Sequence, residues 1–411
     1  MSVSPVSVSL LNIRAACELE AVCARIGADP RSSAYFQPKR RTEHLYIRHV
    51  DFRAAAFLKQ ELLARGGDAV VGRHVIDGQV GHSDVLLIAT GGQLRALLQK
   101  LKAMDCWGLK ELREALTEAL NNASVSGWTL SLPRGRELRL DDRTKVMGIL
   151  NLTEDSFYPA SRLKNLDDLL RRAETMLEDG ADVLDVGAES TRPGSLPLGG
   201  DEELARLVPA LRALRNAFPD AVLSVDTYKG KVALEAAREG ADIINDVGGF
   251  GLDADMLACA AGTGLPCILS HIRGTPADMQ HTVPYDDLLG DIDVWFREKM
   301  ATAEHAGLAR ERLVLDPGLG FGKRGEDNLL ILKEAETLSV FGRPVLIGHS
   351  RKKFTGTATG AESADDRLAG TLAVSALLEG RVQMIRVHDV KENRRALAMA
   401  RAVREASSCR S

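Results

Sequence analysis

From residue 145 onward, short runs of Val, Ile and Leu alternate with amphipathic segments, eight times over. The runs are KVMGILN (145–151), ADVLDVGA (181–188), VLSVDT (222–227), DIINDVG (242–248), PCILSHI (266–272), LVLDPGLG (313–320), PVLIGHS (344–350) and QMIRVHDV (383–390). Stretches between them, such as LDDLLRRAETMLEDGA and KVALEAAREGAD, read as helices, and the second ends at a Gly. Parallel strands with crossover helices satisfy this alternation, and eight units predict a closed (β/α)8 TIM barrel in an α/β chain. An open doubly wound sheet is the alternative. It would usually place a Gly-rich phosphate loop after its first strand. Here the residues after strand one are LTEDSFYPASR, with no Gly.

The first 140 residues follow another pattern. They predict strand VSVSLLNI, a helix over 14–27, strand HLYIRHV, a helix over 52–65, strands AVVGRHVI and DVLLIAT, and helices near 92–103 and 108–120. Residues 1–120 thus read as a small separate α/β domain. NNASVSG (121–127) reads as a linker. The barrel domain then spans 128–405. It opens with WTLSLPRGRELRLDDRT, a predicted β-hairpin with a PRG turn, placed to plug the barrel bottom. No catalytic motif stands out in 1–120. TGGQ (90–93) follows an apolar strand and opens a helix, which suits an anion site, but a plain tight turn is the favoured reading. His44, His49, His74 and His82 are irregularly spaced and read as surface or structural residues. The default role for this domain is folding, dimerisation or regulation.

Lys plus Arg number 53 and Asp plus Glu 57, a net charge of −4, so nothing points to a nucleic-acid or acidic-membrane partner. The N-terminus lacks a basic region followed by a long apolar run, so no signal peptide is expected, and runs such as DVLLIAT are too short to span a bilayer. The six cysteines show no C-x-x-C and no zinc-finger spacing, which predicts reduced thiols in a cytoplasmic protein.

A TIM barrel carries its active site at the C-terminal strand ends, and all eight ends here hold polar groups. Strand one ends in Asn151. Strand two carries Asp185 and runs into AESTRPGS. Strand three ends in Asp226, strand four in Asn245 and Asp246, and strand five in Ser270 and His271. Strand six has Asp316 and then PGLGFGK, strand seven ends in HSRKK, and strand eight gives Arg386, His388 and Asp389. Asp246 and Asp389 point outward by alternation, so capping the next turn is an equal reading for them. Asp185, Asp226, Asn245, Asp316 and Lys352 suit a flat polar heterocycle and positive charge developing on its ring. Arg192, Arg386, His388 and Asn151 suit an anion such as a diphosphate. For Arg386 and His388, a salt-bridged structural pair is the alternative; within the barrel, the expected partner is an anion arriving with the substrate. TEDSFYPASR (153–162) and STRPGSLPLGG (190–200) are candidate lid loops.

VMGILNLTEDSF, DVGAESTRPG, SVDT, IINDVGG, HIRGTPADMQ, LDPGLGFGK, GHSRK and IRVHDV occur in this order and at barrel spacing. Together, over about residues 128–405, they resemble the dihydropteroate synthase family of pterin-binding barrels. The resemblance implies a transferase in folate biosynthesis. In that reaction 4-aminobenzoate displaces pyrophosphate from 6-hydroxymethyl-7,8-dihydropterin diphosphate, giving 7,8-dihydropteroate, with Mg²⁺ as cofactor. It implies that Asp226, Asn245, Asp316, Lys352 and Asp185 contact the pterin, and that Asp226, Lys352, Arg192 and Asp185 carry the catalysis. Arg192, Arg386, His388 and Asn151 resemble the pyrophosphate-binding positions, with Asn151 metal-linked. Thr191, Pro193, Phe321 and Lys353 resemble or neighbour the aminobenzoate and sulfonamide pocket. Small-molecule substrates and a cytoplasmic homodimer are implied. The chain departs from the family pattern where Glu154 replaces a proline, PAS (159–161) a common Asp-Gly-Gly, Ser270 a methionine, and Lys353 a common small serine. The rivals are a methyltetrahydrofolate–corrinoid methyltransferase and a non-catalytic pterin-binding barrel. Folate enzymes are sometimes fused, but 1–120 lack the motifs of dihydroneopterin aldolase and the pterin pyrophosphokinase.

Overall fold

The computed structural model describes residues 8–13, 16–141, 143–152, 162–189, 198–275, 279 and 284–406. They divide into two units, one running to Leu120 and taking in the residues from Glu405 on, and one over Asn121–Arg404.

The first unit is built on strands β1 (Thr42–Asp51), β2 (Asp68–Val71) and β3 (His82–Thr90), antiparallel in the order β1-β3-β2. Alternation along β3 turns Val85, Leu87 and Ala89 inward. They pack with Ala54, Leu58 and Leu62 of helix Phe52–Leu63 and with Leu94, Leu97 and Leu101 of helix Gly91–Leu101. Three sequence expectations need correction here. Residues 8–13 form no strand, and the rest of VSVSLLNI lies outside the described residues. AVVGRHVI is not one strand: β2 stops at Val71, and Gly72 leads into a turn over Arg73–Val75 because its N–H donates to Ser83 Oγ at 2.8 Å. The helix expected at 108–120 runs over Leu109–Ala123, so the predicted linker begins helical. TGGQ is an ordinary capping box, with Thr90 and Gln93 satisfying each other's backbone N–H groups.

The second unit opens with the expected hairpin, β4 (Thr129–Ser131) and β5 (Glu137–Arg139), turned by Pro133–Gly135. Eight parallel strands follow: β6 (Lys145–Asn151), β7 (Val183–Gly187), β8 (Leu223–Asp226), β9 (Ile243–Asp246), β10 (Cys267–Ser270), β11 (Leu313–Asp316), β12 (Leu346–Ile347) and β13 (Met384–Val387). Their order is β11-β10-β9-β8-β7-β6-β13-β12. A parallel bridge from Leu315 to Val345, with Leu315 N–H donating to the Pro344 carbonyl at 2.9 Å, closes the ring. This is the predicted (β/α)8 barrel. Parallel strands are covered on both faces, which is why they read as unbroken apolar runs rather than alternating ones.

The strand period of two sorts these side chains. Leu150, Val186, Val225, Ile244, Leu269, Leu315, Ile347 and Ile385 face the surrounding helices. Met147, Val183, Ile243, Ile268, Val314, Leu346 and Met384 face inward at the barrel floor, where they pack on Leu130, Leu132, Leu138 and Leu140 of the hairpin segment. The hairpin is therefore the predicted plug. It is pinned to the barrel by Arg134 and Arg136, which both donate to the buried Asp242 just before β9. Arg215 donates to the other Asp242 oxygen at 2.7 Å.

Leu130 is fully buried in that floor. Leu130→Ala should cost about 2–5 kcal/mol of stability, the range for a large core truncation. Urea unfolding checks this, and a loss below about 0.5 kcal/mol, a typical surface value, contradicts the plug's role.

Candidate active site

The same parity that fills the floor with apolar side chains places the next inward residues at the mouth. Two residues beyond Val183 stands Asp185, beyond Ile243 stands Asn245, beyond Val314 stands Asp316, and beyond Met384 stands Arg386. Asp226 closes β8 beside Asn245 and Gly187, its register partners. Asp185, Asp226, Asn245 and Asp316 are all buried.

Arg386 joins them. Its Nε donates to Asp185 Oδ2 at 2.6 Å and its Nη2 to Asp226 Oδ2 at 2.6 Å. Asn245 Nδ2 donates to the same Asp185 oxygen at 3.0 Å. Asp185 Oδ1 is buried and has no hydrogen-bond partner among the described residues. Burial pushes the Asp226 carboxyl above its ordinary range, although Arg386 pulls the other way. Burial also works against the Arg386 cation, but Asp185 and Asp226 overcome it and hold its pKa above the ordinary value. The expectation that Arg386 lacks a protein partner is therefore corrected. One guanidinium bridges two buried carboxylates, and the carboxylate set and the anion set form a single network.

Asp316 sits across the mouth. Its Oδ1 accepts the Gly318 N–H at 2.8 Å, and Ser270 Oγ donates to Oδ2 at 3.4 Å. Ser270 is wholly buried, so this departure from the family pattern serves as a hydroxyl facing a carboxylate. Burial raises the Asp316 pKa, with Lys352 opposing. Lys352 donates to the Leu319 carbonyl and lies 4.7 Å from the centre of the Phe321 ring. Burial brings its pKa down to about 8. Gly318 has φ +66°, and a Cβ there would overlap the His271 carbonyl oxygen, so only Gly suits this turn.

The structure also shows contributors that sequence reasoning did not single out. Lys323, the last residue of PGLGFGK, is buried with Nζ 2.8 Å from His271 Nδ1. It also donates to the carbonyls of His271, Gly318 and Phe321 at 3.0–3.2 Å. It rivets the loop after β11 to the end of β10, and burial lowers its pKa to about 7. Behind β8, Lys229 bridges Glu189 and Glu203, while Tyr228 donates to Glu189 at 3.0 Å. A lone Lys in a loop has no periodic signature; the signal here was only its place after a Gly-rich strand end.

The remaining predicted residues fall as follows. His388 contacts Ser350, with Nδ1 3.0 Å from its Oγ. Asn151 ends β6 with an exposed side chain. Phe321 is half-buried, and Lys353 is exposed at the start of helix Lys353–Thr359. Thr191, Arg192, Pro193 and Glu154 lie outside the described residues, as do the two candidate lid loops over 153–161 and 190–197. Asp246 takes its capping reading, whereas Asp389 is held in an ion pair rather than capping the next helix. Asp246 accepts the N–H groups of Gly248 and Phe250, each at 2.7 Å. Asp389 accepts two bonds from Arg351, at 2.9 and 2.6 Å.

Arg386→Gln would leave Asp185 and Asp226 buried without their cation, at a cost of about 3–5 kcal/mol. A carboxyl whose folded pKa exceeds its unfolded value holds its proton more tightly when folded. Stability therefore falls as pH rises through that interval. The variant's deficit in urea unfolding should be smaller near about pH 5 than near about pH 8. Equal deficits would contradict the shared ion pair.

The family model described as pterin binding enzyme matches residues 147–388. A dihydropteroate synthase of Escherichia coli strain K12 is 41% identical over 259 residues, covering 62% of this chain and 90% of its own length. A probable bifunctional folylpolyglutamate synthase/dihydropteroate synthase of Haloferax volcanii is 36% identical over 386 residues. That alignment takes in 92% of this chain, more than Asn121–Arg404 can supply, so it reaches well into the first unit. The chain spans less than half the length of this relative and of a similar one from Halobacterium salinarum. Among solved structures, a Yersinia pestis dihydropteroate synthase in a sulfonamide drug complex is 42% identical with TM-score 0.63. It covers 68% of this chain and 100% of its own. A dihydropteroate synthase from Xanthomonas albilineans in complex with 7,8-dihydropteroate is 33% identical with TM-score 0.59, covering 68% of this chain and 99% of its own. With the matched model spanning more than half its length and the Escherichia coli synthase covered over 90% of its own, the chain belongs to the dihydropteroate synthase family of pterin binding enzymes.

Proposed function

We propose that this chain is a dihydropteroate synthase, condensing 6-hydroxymethyl-7,8-dihydropterin diphosphate with 4-aminobenzoate to 7,8-dihydropteroate and pyrophosphate. The observation that carries this reading is the buried Asp185–Arg386–Asp226 ion pair, with Asn245 against it. It supplies hydrogen-bond acceptors for a heterocycle's edge and a cation for an anionic leaving group in one network.

In this reading Asp185, Asp226, Asn245, Asp316 and Lys352 hold the pterin. Arg386 and His388, with Arg192, receive the diphosphate. The bond between the pterin methylene and the diphosphate oxygen breaks, and the amine nitrogen of 4-aminobenzoate forms the new bond to that carbon. The amine then gives its extra proton to solvent or the departing anion. Asp226 stabilises the positive charge that develops on the pterin as the leaving group departs. Thr191, Pro193, Phe321 and Lys353 line the aminobenzoate pocket and keep the two reactants in line. Arg386 serves both halves: the carboxylates neutralise it without ligand, and an arriving diphosphate shares its planar fork.

Among the described residues no group of three or more His, Cys, Asp or Glu is placed to hold a metal. Mg²⁺ does not need one, because it commonly takes one or two protein oxygens, water and substrate phosphate. Asn151, with its exposed amide at the end of β6, fits that partial role and would be the protein's ligand. Bound there with the diphosphate, Mg²⁺ would offset negative charge on the leaving group.

No helix among the described residues is long and apolar enough to cross a membrane. Cys17, Cys23, Cys106, Cys259 and Cys267 form no disulfide among the described residues, which supports a reducing, cytoplasmic setting. Leu377, Met399 and Val403 expose apolar surface on the barrel's outer helices, which supports a homodimer. Residues 1–120 have their own core and are read as a separate module outside the chemistry.

Pyrophosphate release should require both the dihydropterin diphosphate and 4-aminobenzoate. Asp226→Ala and Arg386→Ala should each lower kcat/KM at least about 100-fold. Near-normal rates in either variant would overturn the residue roles. Pterin binding without pyrophosphate release in the unaltered protein would overturn the reaction.

A further inference from the structure

The β12–β13 ladder ends at the pair Ile347–Ile385, yet the next residues stay joined by side chains. Ser350 Oγ accepts the His388 backbone N–H at 3.2 Å and lies 3.0 Å from His388 Nδ1. Arg351 grips the neighbouring Asp389 with two bonds. His349 Nε2 lies 2.8 Å from Ser375 Oγ, which donates to Asn393 Oδ1 at 2.5 Å, and Asn393 Nδ2 donates to the Asp389 carbonyl at 2.7 Å. The chain at 349–351 is thus tied to 388–393 at three successive residues, and Ser350 is held in place from both sides. It is also buried.

The serine hydroxyl has a single hydrogen. Its oxygen already accepts the His388 N–H. Its only other hydrogen-bond neighbour among the described residues is His388 Nδ1. If Nδ1 carried a hydrogen, the hydroxyl would accept twice and its own hydrogen would have no acceptor there. If Nδ1 is the acceptor, the hydroxyl hydrogen is matched as well. The ring hydrogen of the neutral imidazole then belongs on Nε2.

We infer that Ser350 is a positioning residue: it holds His388 in the Nε2–H tautomer, so that the outer ring nitrogen donates to a diphosphate oxygen. The opposite tautomer would turn a nitrogen lone pair toward that anion and lose the bond. The diphosphate half of this inference rests on the function proposed above; the tautomer half rests only on the two Ser350 contacts.

The test uses the full chain labelled with ¹⁵N on its histidine rings. The nine histidines are resolved by loss of one signal in His388→Gln. Nitrogen chemical shifts should show Nδ1 of His388 unprotonated and Nε2 protonated in the unaltered protein. Ser350→Ala should give a mixture of tautomers and weaken inorganic pyrophosphate binding, by calorimetry, about tenfold. Ser350→Thr, which keeps the hydroxyl, should restore both. A protonated Nδ1 in the neutral ring of the unaltered protein overturns the inference, and so does Ser350→Ala with unchanged tautomer and affinity. An unaltered protein with the expected tautomer and no pyrophosphate affinity supports the Ser350 role and overturns the diphosphate reading instead.

Discussion

Everything at the mouth of this barrel depends on one cation shared by two buried carboxylates. Asp185 and Asp226 stand on adjacent strands, and each would be costly to bury ionised and alone. Arg386 reaches both from β13, which follows them in sequence by 201 and 160 residues. The contact exists only because the barrel closes. The two carboxylates therefore gain their shared cation in the folded chain and lack it in any partly assembled one. Arg386 still leaves one network member unsatisfied, since Asp185 Oδ1 has no partner among the described residues. A buried acceptor held without a donor marks where a ligand's N–H group can be bound.

That arrangement relies on the floor beneath it. β7, β9, β10, β11 and β13 each present an apolar residue to the hairpin plug and, two residues later, a polar one to the mouth. The plug closes the barrel bottom with leucines and is itself held by arginines on Asp242. Water is displaced from below, so the polar layer lies on a dry, packed base where electrostatic effects are strong. The shifts follow from this. Asp226 and Asp316 are raised by burial, and Lys352 and Lys323 are lowered by it. The loop after β11 is fixed over this layer by Lys323 and by a Gly318 turn that no larger residue fits.

Much of this was legible in the sequence. Eight apolar runs at regular intervals specify the barrel because parallel strands bury both faces. Period two then assigns Asp185, Asp226, Asn245, Asp316 and Arg386 to one inner surface. What could not be read was pairing across the barrel. Local spacing shows that Arg386 faces inward, but not that it meets Asp185 and Asp226, whose distance depends on strand order and tilt. Ser350 was hidden for the same reason: its hydroxyl acts on a residue 38 positions away. Short elements were misread where a side chain redirects the backbone. Ser83 ends β2 at Gly72, and helix Leu109–Ala123 continues into a stretch whose Ser and Asn content resembles a linker.

The central claim is that Arg386 is a shared counter-ion linking a heterocycle site to an anion site. It is tested most directly by titrating 6-hydroxymethylpterin into the protein with and without inorganic pyrophosphate. If the anion takes up part of the Arg386 fork, the oxygens of Asp185 and Asp226 become available to the pterin edge. Pterin affinity should then rise about tenfold with pyrophosphate present, within the usual range of coupling between sites, and Arg386→Gln should abolish the rise. Equal pterin affinity with and without pyrophosphate would contradict it.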